Sequence, residues 1–152
     1  MLENPIERWH RIVLTQDTAG LSDWLADDAV FHSPVAYAPQ RGREAVSRYL
    51  IAALQVFFNP SFRCVRKIVG TSDGMYEFET TIDGVLVNAL DLITWNSEGR
   101  VVEFKVMVRP LKAIHLTQQR MAAMLESAPA RVGTLPAEHC QLSEAQRGHN
   151  RG

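Results

Sequence analysis

The stretch VLVNALDLITWNSEGRVVEFKVMVRP, residues 85–110, holds two long apolar segments joined by four turn-forming residues. On a period of two, Val85, Val87, Ala89, Asp91, Ile93 and Trp95 share one face of the first segment. Leu86, Asn88, Leu90, Leu92 and Thr94 share the other. In the second segment Val102, Phe104, Val106 and Val108 alternate with Glu103, Lys105, Met107 and Arg109. The link NSEG ends in a glycine that supplies positive φ, and so short a connection joins antiparallel neighbours. Both faces of the first segment are largely apolar, which fits a sheet that lines an interior on one side and meets a partner chain on the other. Asp91 interrupts the inward face. Burying a carboxylate there costs several kcal/mol unless something satisfies it.

The same alternation extends upstream over residues 62–69 and 75–82, with TSDG and DG as further turns whose glycines are expected at positive φ. Four strands in a meander result. Before them the period changes to that of a helix. Asn4 caps, Pro5 fits the first turn, Glu7 completes an N-x-x-E box, and Ile6, Trp9, Ile12 and Val13 form a stripe. A short second helix starts near Asp17 and Thr18, presents Leu21, Trp24 and Leu25, and runs out at Asp27–Asp28. AVFHSPV reads as a short strand. Residues 43–57 form a third helix carrying Val46, Tyr49, Leu50, Ala53, Leu54 and Phe57, and 111–127 a last one with Ile114, Met121, Met124 and Leu125. The order predicts an α+β fold: a curved antiparallel sheet wrapped around three N-terminal helices, a cone with an internal pocket, plus a C-terminal helix. Residues 1–127 make a single domain, and 128–152, rich in Ala, Pro, Gly and charge, read as a disordered tail.

Composition narrows the function classes. Sixteen basic and 17 acidic residues are mixed along 152 positions, so no basic stripe supports a nucleic-acid partner. The apolar runs are too short to span a bilayer, and MLENPIERWH lacks the apolar region of a secretory signal. Cys64 and Cys140 lie far apart and read as reduced thiols, which makes a cytoplasmic location the expectation. The histidines and cysteines show no metal-ligand spacing, and no Gly-rich phosphate loop appears. Neither a metal nor a cofactor is expected.

Three segments, LADDAVFHSPV (25–35), RGREAVSRYL (41–50) and DLITWNSEGRVVEFKVMVRPL (91–111), together resemble the SnoaL-like branch of the nuclear transport factor two-like superfamily. The likeness runs over residues 5–115. It implies the cone fold and a homodimer. It leaves the chemistry open, since members include ketosteroid isomerases, polyketide cyclases, epoxide hydrolases and dehydratases. Ketosteroid isomerases use an aspartate base with an oxyanion hole of a tyrosine and a protonated aspartate. By that resemblance Asp91 falls on the protonated aspartate and Ser33 on the base. The tyrosine falls near Trp9 or His10. One of the three matches by type.

The strand faces and the resemblance together give an interior lined by Trp9, Phe31, Tyr49, Phe78, Thr80, Phe104, Val106 and Val108, all candidate ligand contacts. Asp91, Tyr76 and Ser33 are the candidate catalytic groups. An apolar lining with few polar groups suits a small-molecule site, and Asp91 in it should hold its proton to higher pH. The alternative is an Asp91 bonded to a neighbour in a filled core. His32 and Ser33 point to opposite faces, and His10 could approach the pocket from the first helix but reads first as a helix-surface residue. Outside, Glu77, Glu79, Glu103, Lys105 and Arg109 beside Asn88, Leu90 and Leu92 are either solvated cross-strand pairs or the face of a homodimer. The expected partner is a small, largely apolar, oxygenated molecule that is isomerised, cyclised or hydrated. A non-catalytic binding module and a dimeric scaffold remain as alternatives.

Overall fold

A computed structural model describes residues 3–127; the tail expected over 128–152 lies outside the described residues. Helix α1 (Pro5–Thr15) starts where the cap predicts, with Asn4 Oδ1 accepting from the Glu7 backbone N–H at 2.9 Å. Glu7 does not close the box; its carboxylate bridges Lys67 Nζ at 3.0 Å. A 3-10 turn, Thr18–Gly20, leads into the single turn of α2 (Leu21–Trp24). The sequence carries this helix to Asp28, but Leu25 is already extended and opens strand β1 (Leu25–His32). Leu25 and Ala26 are both buried, and Leu25 pairs with Val101. Sheet pairing at the core outweighs the weak tendency of a one-turn helix to continue.

After the short strand β2 (Gln40–Arg41) and α3 (Arg43–Phe57), the chain runs through β3 (Arg63–Val69), β4 (Asp73–Ile82), β5 (Val85–Trp95) and β6 (Val101–Arg109) into α4 (Leu111–Glu126). The spatial order is β2-β1-β6-β5-β4-β3. The meander β3 to β6 is antiparallel as expected, but β1 lies parallel to β6, so the sheet is mixed. The α3 helix and four intervening strands make the connection long enough for parallel pairing. The sheet stays open, with β2 and β3 at its edges.

Two local departures matter for the site. A bulge displaces the β5–β6 register between Thr94–Glu103 and Trp95–Val101. Val101 rather than Val102 is therefore fully buried, and the inward alternation resumes at Phe104. Gly84 and Gly99 have φ of 77° and 76°, as turn glycines should, whereas Gly74 of TSDG is a residue of β4. A Cβ there would meet Ile68 O at 2.5 Å and Ile6 Cγ1 at 2.7 Å, so Gly74 lets α1 sit directly on the sheet. Helices α1 to α3 cover the inward sheet face, and Trp9 stacks on Trp24 at 5.0 Å and meets Phe104 edge-on at 5.1 Å. None of the described helices is long and apolar enough to cross a membrane.

Candidate functional site

Asp91 stands mid-way along β5, opposite Tyr76 of β4 and Val106 of β6, on the face that α1 covers. It is 4% exposed. Its Oδ2 accepts one hydrogen bond, from Trp9 Nε1–H at 3.0 Å. The stacking of Trp9 between Trp24 and Phe104 fixes that donor, so the carboxyl has one defined orientation and a second oxygen left over. Burial pushes Asp91 up to about 7, and the Trp9 bond pulls part of the way back. A carboxylic acid is therefore populated at neutral pH and can donate.

Over this group lies a cavity of about 30 Å³. Trp9 and Val13 of α1 close one side, and Leu50, Leu54 and Phe57 of α3 another. Tyr76, Phe78, Phe104 and Val106 form the sheet wall, and Phe58 and Phe62 of the α3–β3 connection complete it. Phe62 stacks on Phe78 at 5.1 Å and Phe58 tilts against Phe62 at 5.4 Å. On this measure the hollow takes a water molecule or two.

Tyr76 is fully buried, and its hydroxyl lies 2.7 Å from His10 Nδ1. Burial raises the Tyr76 pKa far above its usual value, with the neighbouring Cys64 thiol adding to the rise. Burial and then the charge of Lys67 lower His10, so its ring favours the neutral form that can accept a proton. Burial likewise pushes the Cys64 thiol up. Among the described residues no group of three or more His, Cys, Asp or Glu side chains could hold a metal ion.

Six of the residues singled out from the sequence come together here: Trp9, Tyr76, Phe78, Asp91, Phe104 and Val106. The other five lie elsewhere. Ser33 sits past the end of β1, where its Oγ accepts from Val35 N–H at 3.1 Å. Phe31 and Tyr49 pack against each other at 5.8 Å, behind Phe104. Thr80 is buried with its Oγ1 3.3 Å from Ser61 Oγ. Val108, opposite Ala89, is half-buried farther along β6 than Val106. The sequence reading passed over Phe58 and Phe62, although three phenylalanines in FFNPSF (57–62) are a strong apolar signal in a connection. His10, expected on the helix surface or approaching the pocket from α1, meets Tyr76, a partner 66 residues away that a helix stripe does not reveal.

The SnoaL-like domain description fits residues 6–109, most of the described chain. The chain belongs to the SnoaL-like domain family. This SnoaL-like domain is 31% identical to a steroid delta-isomerase from Pseudomonas aeruginosa, with a TM-score of 0.76 over 81% of this chain and 90% of that one. A bacterial protein of cystatin-like fold from Silicibacter pomeroyi DSS-3 is 29% identical, with a TM-score of 0.75 over 81% and 86%. The epoxide hydrolase/cyclase-like enzyme SalBIII, 18% identical with a TM-score of 0.56 over 69% of this chain and 88% of that one, shares the fold alone. No curated protein matches. The architecture is thus the α+β cone of the nuclear transport factor two-like proteins, as the resemblance implied.

Proposed function

We propose that this SnoaL-like domain takes a small, largely apolar, oxygenated molecule over Asp91, which serves as acid or hydrogen-bond donor in an isomerisation, cyclisation or hydration. One observation carries the reading: a carboxyl with a single N–H donor, buried at the wall of an otherwise apolar cavity. A carboxyl that only filled the core would serve to pair the buried Trp9 Nε1–H. One that keeps its proton near neutrality can hydrogen-bond a carbonyl oxygen in a site without competing water. The steroid delta-isomerase relative makes a cyclic ketone the first ligand class to try.

Ligand pockets run to several hundred Å³, so entry requires the wall to yield. The α3–β3 connection is the side to move, because Phe58 and Phe62 are half-buried and held by ring contacts rather than by strand pairing. Trp9 is in place to report the event. Titrating the protein with 2-decalone at pH 6 should change its tryptophan fluorescence saturably. Asp91→Leu should weaken binding about tenfold, the worth of one hydrogen bond to a charged or strongly polar group. The affinity of the unaltered protein should fall as pH rises past 7, where the donor ionises. Binding indifferent to both pH and the substitution overturns the proposal.

The position of Ser33 favours one alternative, a binding module without catalysis, since that hydroxyl is turned to its own backbone away from the cavity. The same proposal has the protein working in the cytoplasm as a homodimer joined through the outer sheet face. It takes neither nucleic acid nor a membrane as partner, a reading supported by the mixed charge and the short apolar runs.

A further inference from the structure

We infer that the turn over residues 59–62 is the door of this cavity and that Asn59 and Ser61 are its latch, which a ligand must release to fit; the inference rests on the ligand reading above. A cavity of about 30 Å³ has to grow before it holds anything larger than water. Most of its wall is helix α1, helix α3 and the paired strands β4, β5 and β6, which move only by breaking helix packing or a ladder. The remaining two wall residues, Phe58 and Phe62, come from a connection. Withdrawing both rings gives their space to the cavity.

Two short side chains hold that connection shut. The β3–β4 ladder ends where Arg63 pairs with Glu79, while β4 continues beside β5 as far as the pair Ile82 and Val85. Thr81 therefore meets the turn where β3 would otherwise lie. Its N–H donates to Ser61 Oγ at 2.8 Å, and its carbonyl accepts from Asn59 Nδ2 at 3.0 Å. Asn59 Oδ1 also accepts from the Ser61 backbone N–H at 2.8 Å, and Phe62 N–H donates to Asn59 O at 2.9 Å. Residues 59–62 are thus one stiff turn. The Phe58 N–H makes the last α3 hydrogen bond, to Leu54 O, and pairing with β4 resumes at Arg63. Rotation at those two places swings the turn and carries both rings with it.

The surroundings favour this movement. Ser61 and Thr81 are exposed, so water replaces each latch bond as it opens. On the far side of the turn lies a groove of about 460 Å³ between α3, the β4–β5 hairpin and α4. Asn59 and Thr81 line it together with Val56, Met124 and the Asp83–Arg120 ion pair. The turn therefore has room to move outward without displacing a packed element. The closed form then competes with the ligand: each latch bond lowers the fraction of molecules that are open, and with it the apparent affinity. Hydrogen bonds outside the cavity thus oppose binding inside it.

Stopped-flow mixing with 2-decalone at pH 6, read by tryptophan fluorescence, tests the latch. Ser61→Ala and Asn59→Ala each remove a hydrogen bond to Thr81 and replace no residue of the cavity wall. Both should bind 2-decalone about five- to tenfold more tightly than wild type, through faster association, which is the worth of about one hydrogen bond. Circular dichroism establishes that they fold. In the wild type itself, saturating 2-decalone should speed amide exchange at Thr81, measured by NMR, because the bound form has the turn displaced. Should neither variant fold, that measurement decides alone. Affinity unchanged or weakened in both folded variants overturns the latch, as does Thr81 exchange that the ligand slows or leaves unchanged, and both results leave the cavity reading standing. Failure of 2-decalone to bind any of the three proteins overturns the cavity reading and the latch with it.

Discussion

Asp91 keeps its proton to a pH at which an exposed aspartate is fully ionised, and folding must carry the cost. The sign follows from linkage. The folded-state value of about 7 lies above the ordinary 3.8, so between the two the folded chain binds a proton that the unfolded chain has released. Stability from this group is fully present below the ordinary aspartate value and is lost as pH rises through about 7. The loss approaches roughly 4 kcal/mol at 1.4 kcal/mol per unit. Urea denaturation should therefore show the wild-type midpoint falling from pH 5 to pH 8, beyond any change in Asp91→Asn; parallel midpoints in the two proteins count against a buried titrating carboxyl. Trp9→Phe preserves the ring stack and removes the Nε1–H donor. Since that bond favours the ionised form, the carboxyl of Trp9→Phe should titrate higher still, read by the carboxyl carbon shift in NMR. Asp91 was legible in the sequence because a period of two makes one charged residue on an apolar face conspicuous. The His10–Tyr76 pair was not, because a contact between a helix and a distant strand has no local pattern.

At the scale of elements, Gly74 decides how closely α1 approaches the sheet. With Ile68 O and Ile6 Cγ1 at 2.5 and 2.7 Å from where a Cβ would stand, Gly74→Ala must shift β3, β4 or the start of α1. Overpacking of this kind costs roughly 1–3 kcal/mol, and the Asp91 cavity should feel it because Trp9 is one turn along the same helix. A lowered melting temperature together with weakened 2-decalone binding is expected; a melting curve unchanged from wild type would mean that α1 is not clamped here. The sequence signals for this region were half right. TSDG announces a reversal, and one occurs, but its glycine is needed for helix-on-sheet contact rather than for positive φ. Period-two alternation located β4, β5 and β6, since each strand has one dry face. It could not show that β1 runs parallel to β6, because strand partners separated by a helix and a meander leave no local trace. The bulge at Val102 escaped for a related reason: VV fits either register, and only the pairing with β5 selects Val101 for the core.

At the scale of the molecule, no element among the described residues covers the outer sheet face. Paired residues form cross-strand rows there, Arg66–Glu77–Leu90–Met107 and Ile68–Met75–Leu92–Lys105, each mixing charged and apolar side chains. Met107 and Ile68 are about half exposed, at 50% and 48%, and the rows enclose a shallow groove lined by both together with Leu90 and Met75. A monomer gains nothing from apolar side chains at the middle of its face. A second copy related by a two-fold axis would bury them, and the charge at one end of each row could meet the opposite charge of the other copy. The edge strand β3 carries Arg63, Arg66 and Lys67, which discourages continuation of the sheet through its edge and leaves the face as the route to association. A stable dimer of ordinary kind buries roughly 800 Å² per partner, an area that four paired strands of 7, 10, 11 and 9 residues can offer. Light scattering at micromolar concentration should give twice the chain mass of 17.1 kDa. Met107→Glu, which sets two carboxylates against each other near the axis, should return it to a single chain while leaving 2-decalone binding intact, because Met107 points away from the cavity. A single-chain mass for the wild type removes the dimer; loss of ligand binding on dissociation would instead tie the outer face to the shape of the cavity.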